Sequence, residues 1–527
     1  KILKIIKKKK IDLIHLNFEG FFLLGLLIKF FFKIPIVIHY RSTIPYNSFA
    51  HKMISTLIVK YIAEFVIFIS KTEKKKFFKI YPNLKMCRFV TIYNISENKL
   101  SNSKKNYLSK NLVYVGNISF FKGVDRLLGV AKHLMDTNLK IKIYGETRGE
   151  LKFEKLLKEN INKFKLNFKS ISPLICFALK ANSNLQIIKE IKKFGLGADV
   201  VSKGELMKAL KAGINPKKIV FSGVGKTTSE LNYAIDKKIL LINSESKSEV
   251  LEIERLAKLK NKIVNIGLRL NPNTDAKTLS QISTGKKENK FGVDEKKFIE
   301  LEKYLQKSKY INLKCLSVHI GSQILNYKPY EKMLKVVDNI IKKNNFKFEY
   351  IDLGGGMGIK YIKDSKKLDY SKLSKNIYKF SKKNNCKIIF EPGRSIVGNT
   401  AVLLTKVIHI KNSANKKFII IDAGMNDLIR PALYNATHDI IPLTKKSSRN
   451  SSSHDFVGPI CETSDSFLKT KNYQKINEGD NLAIKDVGAY GIVLSSNYNL
   501  RPRPVEFIIK NSKIKMISKK QSLNDII

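Results

Sequence analysis

Four short stretches place reactive residue types where strands should end. In "CFALKANSN" (176–184), Lys180 follows an apolar run and precedes a small polar turn. Burial disfavours an ammonium, so a lysine there is expected to keep its neutral, nucleophilic amine within reach, as Schiff-base chemistry needs. The plainer alternative is a lysine snorkelling from a strand edge. "LGGGMG" (353–358) presents unencumbered backbone amides, which suit a phosphate or merely a tight turn. "EPGR" (391–394) ends another apolar run with a carboxylate, Glu391, and a guanidinium, Arg394, and "SVHIGSQ" supplies His319. A Schiff-base lysine, a phosphate cradle, a carboxylate and a flat imidazole together describe what pyridoxal 5'-phosphate requires, the carboxylate keeping its pyridine nitrogen protonated.

These residues need a frame that brings strand ends together. Eight apolar runs, "LICFALK", "GADVVS", "KIVFSG", "ILLINS", "IVNIGLRLN", "CLSVHIG", "FEYIDLGGG" and "CKIIFEPGR", alternate with helix-length segments between about 173 and 400. That pattern predicts a closed (β/α)8 TIM barrel with its chemistry at the carboxyl ends of the strands. Polar residues collect at those ends: Lys180, Asp199 and Ser202, Arg269, His319, the glycines 354–356, and Glu391 with Arg394. Beyond 400, "FIIIDAGM", "HDFVG", "NLAIKDVGAYG" and "EFIIK" predict a β-domain, with 444–455 as a polar loop. Before the barrel, "IDLIHL", "IPIVIHY", "AEFVIFIS", "LVYVGNI" and "LKIKIYG" predict a covered parallel sheet of Rossmann-like type. The expected class is α/β, with domains at 1–150, 151–405 and 406–527.

The 527 residues carry 98 Lys+Arg against 44 Asp+Glu, a formal net charge of +54. The excess is lysine spread along the whole chain rather than an arginine-rich patch with interleaved aromatics, so no nucleic-acid partner is expected. Five scattered cysteines without a CxxC pair argue against a disulfide framework or a metal site and for a reducing, cytoplasmic setting. The run 21–38 is the one membrane candidate, but Lys29, Lys33 and Pro35 interrupt it. A buried helix leading into "IPIVIHY" is expected there, and no membrane span.

From about 155 to 527 the chain closely resembles the diaminopimelate decarboxylases, barrel enzymes of the alanine-racemase-like type that use pyridoxal phosphate. The resemblance rests on "FALKANSN", "GLGADVVSKGEL", "FSGVGKT", "VHIGSQ", "DLGGGMGI", "EPGR", "RPALYNATH", "GPICETSD" and "GAYG", in that order. It implies decarboxylation of meso-2,6-diaminopimelate to L-lysine, the last step of lysine biosynthesis. It further implies that Lys180 carries the cofactor and His319 stacks on its ring, with Asp199 close by, while Glu391 pairs with the ring nitrogen and Gly355, Gly356 and Gly393 contact the phosphate. Arg394, Arg430 and Tyr434 would hold substrate carboxylates, and Tyr490 would complete the pocket. In the family the "CETSD" loop serves the other subunit of a homodimer, making Cys461 the proton donor and Glu462 a substrate contact. A distal carboxylate calls for a bidentate partner, so Arg430 in "RPALY" favours diaminopimelate over substrates with a cationic tail; its plain alternative is an ordinary surface ion pair.

Residues 1–150 resemble the middle of nucleotide-sugar glycosyltransferases through "FVIFISKTEKKKF", "LVYVGNISFFKGVDRLL" and "LKIKIYGE", with Gly116 and Lys122 expected near donor phosphates. The glycine-rich first strand and the acidic donor motif of such enzymes have no counterpart, and the barrel is entered directly at its first helix, without the preceding β-domain strand. The readings left open beside the decarboxylase are therefore a glycosyltransferase with an appended barrel and an inactive, cofactor-binding fusion.

Overall fold

The computed structural model describes residues 153–527 apart from 277–283, 286–287, 363–366, 414–415, 444–448, 451–452 and 511–512, and before them 14–16, 22–32, 36–40, 56, 63–68, 74–75, 77–78, 89–91, 111–115 and 140–144. The chain divides into two units, Lys1–Leu151 and Lys152–Ile527. In the first, strands Ile14–Leu16, Ile36–Tyr40, Ala63–Phe68 and Phe89–Thr91 pair in parallel in chain order, and Asn111–Val115 pairs in parallel with Lys140–Tyr144. Helix Phe22–Phe32 lies where the apolar run predicted one; it buries Ile28 and leaves Phe30 and Phe31 exposed. No helix among the described residues is long and apolar enough to cross a membrane. Gly116 and Lys122 lie outside the described residues.

The second unit opens with α1 (Phe153–Asn167) and continues into eight parallel strands: β1 (Leu174–Ala178), β2 (Gly197–Val200), β3 (Ile219–Phe221), β4 (Leu241–Ser244), β5 (Val264–Arg269), β6 (Ile311–Ser317), β7 (Tyr350–Asp352) and β8 (Lys387–Phe390). They pair in chain order and close between β8 and β1 into a barrel. Their apolar runs are buried on both faces: Cys176, Val220, Leu241, Cys315 and Ile389 fill one interior cluster, and the outward residues pack under the helices. Several βα loops end on a polar residue that caps the next helix: Asn184, Ser202, Thr227, Ser246 and Asp294 each accept a hydrogen bond from a first-turn amide. Short polar turns thus stop the strands abruptly, which leaves their last side chains at one rim.

Helix α1 braces that rim from outside. Phe168, fully buried, stacks on Phe390 at the end of β8 with ring centroids 4.5 Å apart, and Phe164 packs 5.0 Å from Phe168. Burying one such ring is worth about 1.5–3 kcal/mol. Asn160 Nδ2 donates to Ile396 O at 2.8 Å, tying α1 to the short helix Arg394–Val397 that follows "EPG".

The β-domain is a six-stranded sheet of β9 (Leu403–Ser413), β10 (Lys416–Ile421), β11 (Ile440–Pro442), β12 (Ser453–Val457), β13 (Ser466–Thr470) and β14 (Asn481–Ile484), in the order β11-β14-β9-β10-β12-β13. All neighbours are antiparallel except β10 and β12. Two details differ from expectation. The sheet begins at Leu403, inside the segment assigned to the barrel, and part of the polar stretch 444–455 is strand. His454 and Asp455 are buried in β12, where Ser466 Oγ donates to Asp455 Oδ1 at 3.0 Å, so an acidic side chain that suggested a loop is held as a bonded sheet residue.

Candidate active site

Lys180 sits in a single helical turn, Leu179–Ala181, directly after β1. Its Nζ lies 2.7 Å from Asp199 Oδ2 at the end of β2, with 37% of the lysine side chain exposed and the aspartate fully buried. The expectation of a depressed lysine pKa is corrected here. Burial alone pulls it down, but the carboxylates of Asp199 and Glu391 outweigh that and hold the ammonium above its ordinary value. Asp199 is fixed by β2 pairing with β1 through Ala178, and its Oδ1 has no partner among the described residues.

Glu391, one residue past β8, accepts from Ser222 Oγ at 3.1 Å. Burial, then the charges of Asp199 and Asp352, push its carboxyl well above the usual range, and it is hydrogen-bonded to Asp352. Asp352, at the end of β7, is raised as well, chiefly by burial. Its Oδ2 accepts from Asn243 Nδ2 at 2.9 Å and its Oδ1 from the Gly354 amide at 2.9 Å. Asn243 also reaches Ser222 Oγ and Ser317 Oγ, both at 3.3 Å. Sequence reasoning passed over Ser222, Asn243, Ser317 and Asp352; their signal was a polar residue at or just past the end of an otherwise apolar strand.

His319 follows β6, half-buried, and the Gly355 amide donates to its Nδ1 at 3.2 Å, so the neutral ring carries its hydrogen on Nε2. Burial, then the charges of Arg269 and Lys180, keep it well below the usual imidazole value. Arg269, at the end of β5, is engaged by Glu245 at 2.9 Å. The glycines in "LGGGMG" are needed for shape: Gly354 and Gly356 have φ of +63° and +87°, and a Cβ on Gly355 would lie 2.1 Å from Glu391 O. Tyr330 Oη donates to Gly355 O at 2.7 Å and pins the turn from below.

The β-domain closes the other side. The Tyr490 amide donates to Ala181 O at 2.8 Å and Asn182 Nδ2 to Gly488 O at 3.1 Å, which fastens "GAYG" beside the Lys180 turn. Tyr490 has φ +56°, a left-handed conformation held by these bonds. Arg394 lies 4.7 Å over its ring and donates to Tyr361 Oη at 2.6 Å and Ser322 Oγ at 3.2 Å. Arg430, on the short helix Arg430–Tyr434, stacks on the other part of this aromatic pair, 4.5 Å from the Tyr361 ring centroid. Arg430 is 4% exposed, which rejects the surface ion pair; its bonded partner is His438 Nε2 at 2.7 Å. Tyr434 is half-buried on the same helix.

Cys461 and Glu462 are exposed. Glu462 accepts from Tyr498 Oη at 2.6 Å and Ser464 Oγ at 3.2 Å, so its bonds are within its own surface and not to the Lys180 rim. Their loop is held from beneath by buried Asp465, which accepts from the Met425 amide at 2.7 Å and the Ile460 amide at 2.8 Å.

Residues 154–398 match the family described as "Pyridoxal-dependent decarboxylase, pyridoxal binding domain". The diaminopimelate decarboxylase of Helicobacter pylori strain J99 is 43% identical over 71% of this chain and 93% of its own, and that of Aquifex aeolicus 42% identical over 67% and 85%. The chain belongs to the diaminopimelate decarboxylase family. The crystal structure of the Helicobacter pylori member complexed with L-lysine superposes with a TM-score of 0.67 at 41% identity, covering 71% of this chain and 94% of that one.

The residues present fit the cofactor of this family. The amides of Gly356 and Gly393 donate to no described residue, and both glycines are packed too tightly for a side chain: a Cβ on Gly393 would lie 2.8 Å from that of Ala181. Such free, close-set amides suit a phosphate. The acceptor-rich floor of Asp199 and Glu391, with Asp199 Oδ1 unpartnered among the described residues, suits a protonated ring nitrogen.

Proposed function

We propose that the second unit decarboxylates meso-2,6-diaminopimelate to L-lysine and CO2 with pyridoxal 5'-phosphate. The observation that carries this reading is the Lys180–Asp199–Glu391 cluster together with two buried guanidinium groups, Arg394 and Arg430, that share Tyr361, Arg394 also lying over Tyr490, whose amide is bonded to the Lys180 turn. Lys180, His319, Gly355, Gly356, Gly393, Glu391, Asp199 and Tyr490 would hold the cofactor. When bound, it supplies a sink for the electron pair that CO2 leaves behind.

The chain's own residues supply orientation and protons. Lys180 Nζ keeps its proton against Asp199 and can hand it on only as that ion pair loosens. The neutral His319 offers a flat, uncharged face because its Nδ1 is occupied by the Gly355 amide. Arg394 and Arg430, with Tyr434, hold carboxylates, and a guanidinium fork fixes a planar anion in orientation as well as place. The partner subunit's Cys461 donates the proton that replaces CO2, and the partner subunit's Glu462 touches the substrate. What supports a homodimer is the exposure of this loop next to Tyr498 and Leu500, which are 47% and 62% exposed. The free thiols Cys176, Cys315, Cys386 and Cys461 suit the cytoplasm.

The test is substrate choice. The cofactor-loaded chain should release CO2 from meso-diaminopimelate and not from ornithine or arginine; release from ornithine at an equal rate refutes the role given to Arg430.

For residues 1–150 we infer a nucleotide-sugar-transferase-like piece. The parallel order of its described strands supports this reading, and turnover of a UDP-sugar by the full chain tests it.

A further inference from the structure

The guanidinium of Arg430 is nearly sealed, yet among the described residues only its Nη1 is engaged, and Nε has no partner. The engaged bond is unusual in kind. A buried guanidinium ordinarily pairs with a carboxylate, but here the acceptor is an imidazole nitrogen, His438 Nε2 at 2.7 Å. His438 is 0% exposed. Its other nitrogen, Nδ1, lies 2.7 Å from Lys485 O, a carbonyl that can only accept. The hydrogen is therefore on Nδ1 and Nε2 must accept from Arg430. Lys485 O is itself fixed, since the Lys485 amide donates to Asp439 O at 2.8 Å beside β11 and β14. Tyr361 completes the clamp: its ring meets His438 edge-on with centroids 5.1 Å apart and 72° between planes, and lies under the Arg430 guanidinium at 4.5 Å.

A neutral acceptor does something a carboxylate cannot. It fixes the guanidinium's rotation through Nη1 while leaving its positive charge uncompensated, so the remaining donors face the pocket with full charge. We propose that His438 is a positioning residue that orients Arg430 without neutralising it, and so sets the requirement for a carboxylate at the far end of the substrate. This rests on the decarboxylase reading for the identity of that substrate.

The experiment compares two ligands on the cofactor-loaded chain by calorimetry: L-lysine, which keeps the distal carboxylate, and cadaverine, the same chain without it. His438→Ala should weaken L-lysine roughly tenfold or more, the scale of one hydrogen bond to a charged group, and leave cadaverine within about twofold. His438→Gln, a neutral acceptor of similar reach, should restore most of the L-lysine affinity. His438→Asp should weaken L-lysine even if it folds well, because it neutralises Arg430. Equal loss of both ligands, or unchanged L-lysine binding in the alanine and aspartate variants, overturns the proposal. Should His438→Ala not fold, the aspartate and glutamine variants decide it by the same ratio. Failure of the wild-type chain to release CO2 from diaminopimelate is a separate result that removes the decarboxylase reading, since ligand binding is measured without turnover.

Discussion

Acid should unfold the second unit partly through His438. Burial first, then the Arg430 charge beside it, lower its pKa from 6.5 to about 4 against the opposing pull of the Lys485 carbonyl, with Arg394 adding a smaller push the same way as Arg430. A base whose folded pKa is depressed is protonated in the unfolded chain before it is in the folded one. Stability is therefore intact above about pH 6.5 and lost as pH falls through the window between 6.5 and about 4. Two and a half pH units correspond to about 3 kcal/mol, with about 2 kcal/mol already gone at pH 5. Other groups in the same window act oppositely: burial raises Asp486 to about 6, so its protonation favours the folded state as pH falls. The informative quantity is accordingly the difference between wild type and His438→Gln. Urea unfolding of the full chain at pH 7, 6, 5 and 4 should show the variant losing about 3 kcal/mol less than wild type over that range. Parallel profiles, within about 0.5 kcal/mol, would refute the claim that a buried neutral imidazole supports Arg430.

Three further perturbations follow from the geometry. Gly355→Ala puts a Cβ 2.1 Å from a backbone carbonyl, a clash that no side-chain rotation relieves, and should cost about 1–3 kcal/mol and cofactor retention on desalting; Gly225→Ala, with open space around it, should retain cofactor like wild type. Phe168→Ala should lower stability by about 3–5 kcal/mol in a thermal melt, whereas Leu166→Ala, at a side chain 72% exposed, should stay within about 0.5 kcal/mol. Lys180→Ala and Cys461→Ala should each be inactive alone, but mixing and reassociating them should recover about a quarter of wild-type activity, because half the dimers then carry one intact shared site; no recovery would count against sharing.

The barrel was legible because its eight strands are buried on both faces and so read as unbroken apolar runs, and because the residues that end them, Lys180, Asp199, Glu391 and His319, are polar. The sign of the Lys180 shift was not legible: it depends on Asp199 and Glu391 arriving beside it from β2 and the end of β8, and a strand-end lysine alone suggests only desolvation. Arg430 could be picked out from its motif, but its setting could not, since Tyr361, His438 and Lys485 come from three separate segments and meet only in the fold. Strand β9 was missed because only Thr405 and Val407 are fully buried in it, Leu403 and Ile410 are partly buried, and the apolar Leu404 and Ile408 are exposed, so the sequence shows no clean two-residue alternation. For His454 and Asp455, polarity suggested a loop where both are buried in a strand and Asp455 is bonded by Ser466.

The most direct test of the central claim is CO2 release from meso-diaminopimelate by the purified full chain supplied with pyridoxal phosphate, beside Lys180→Ala under the same conditions. Release by the wild type that disappears in the variant is the predicted result. Equal release by both, or none by a wild type that retains the cofactor, would contradict it.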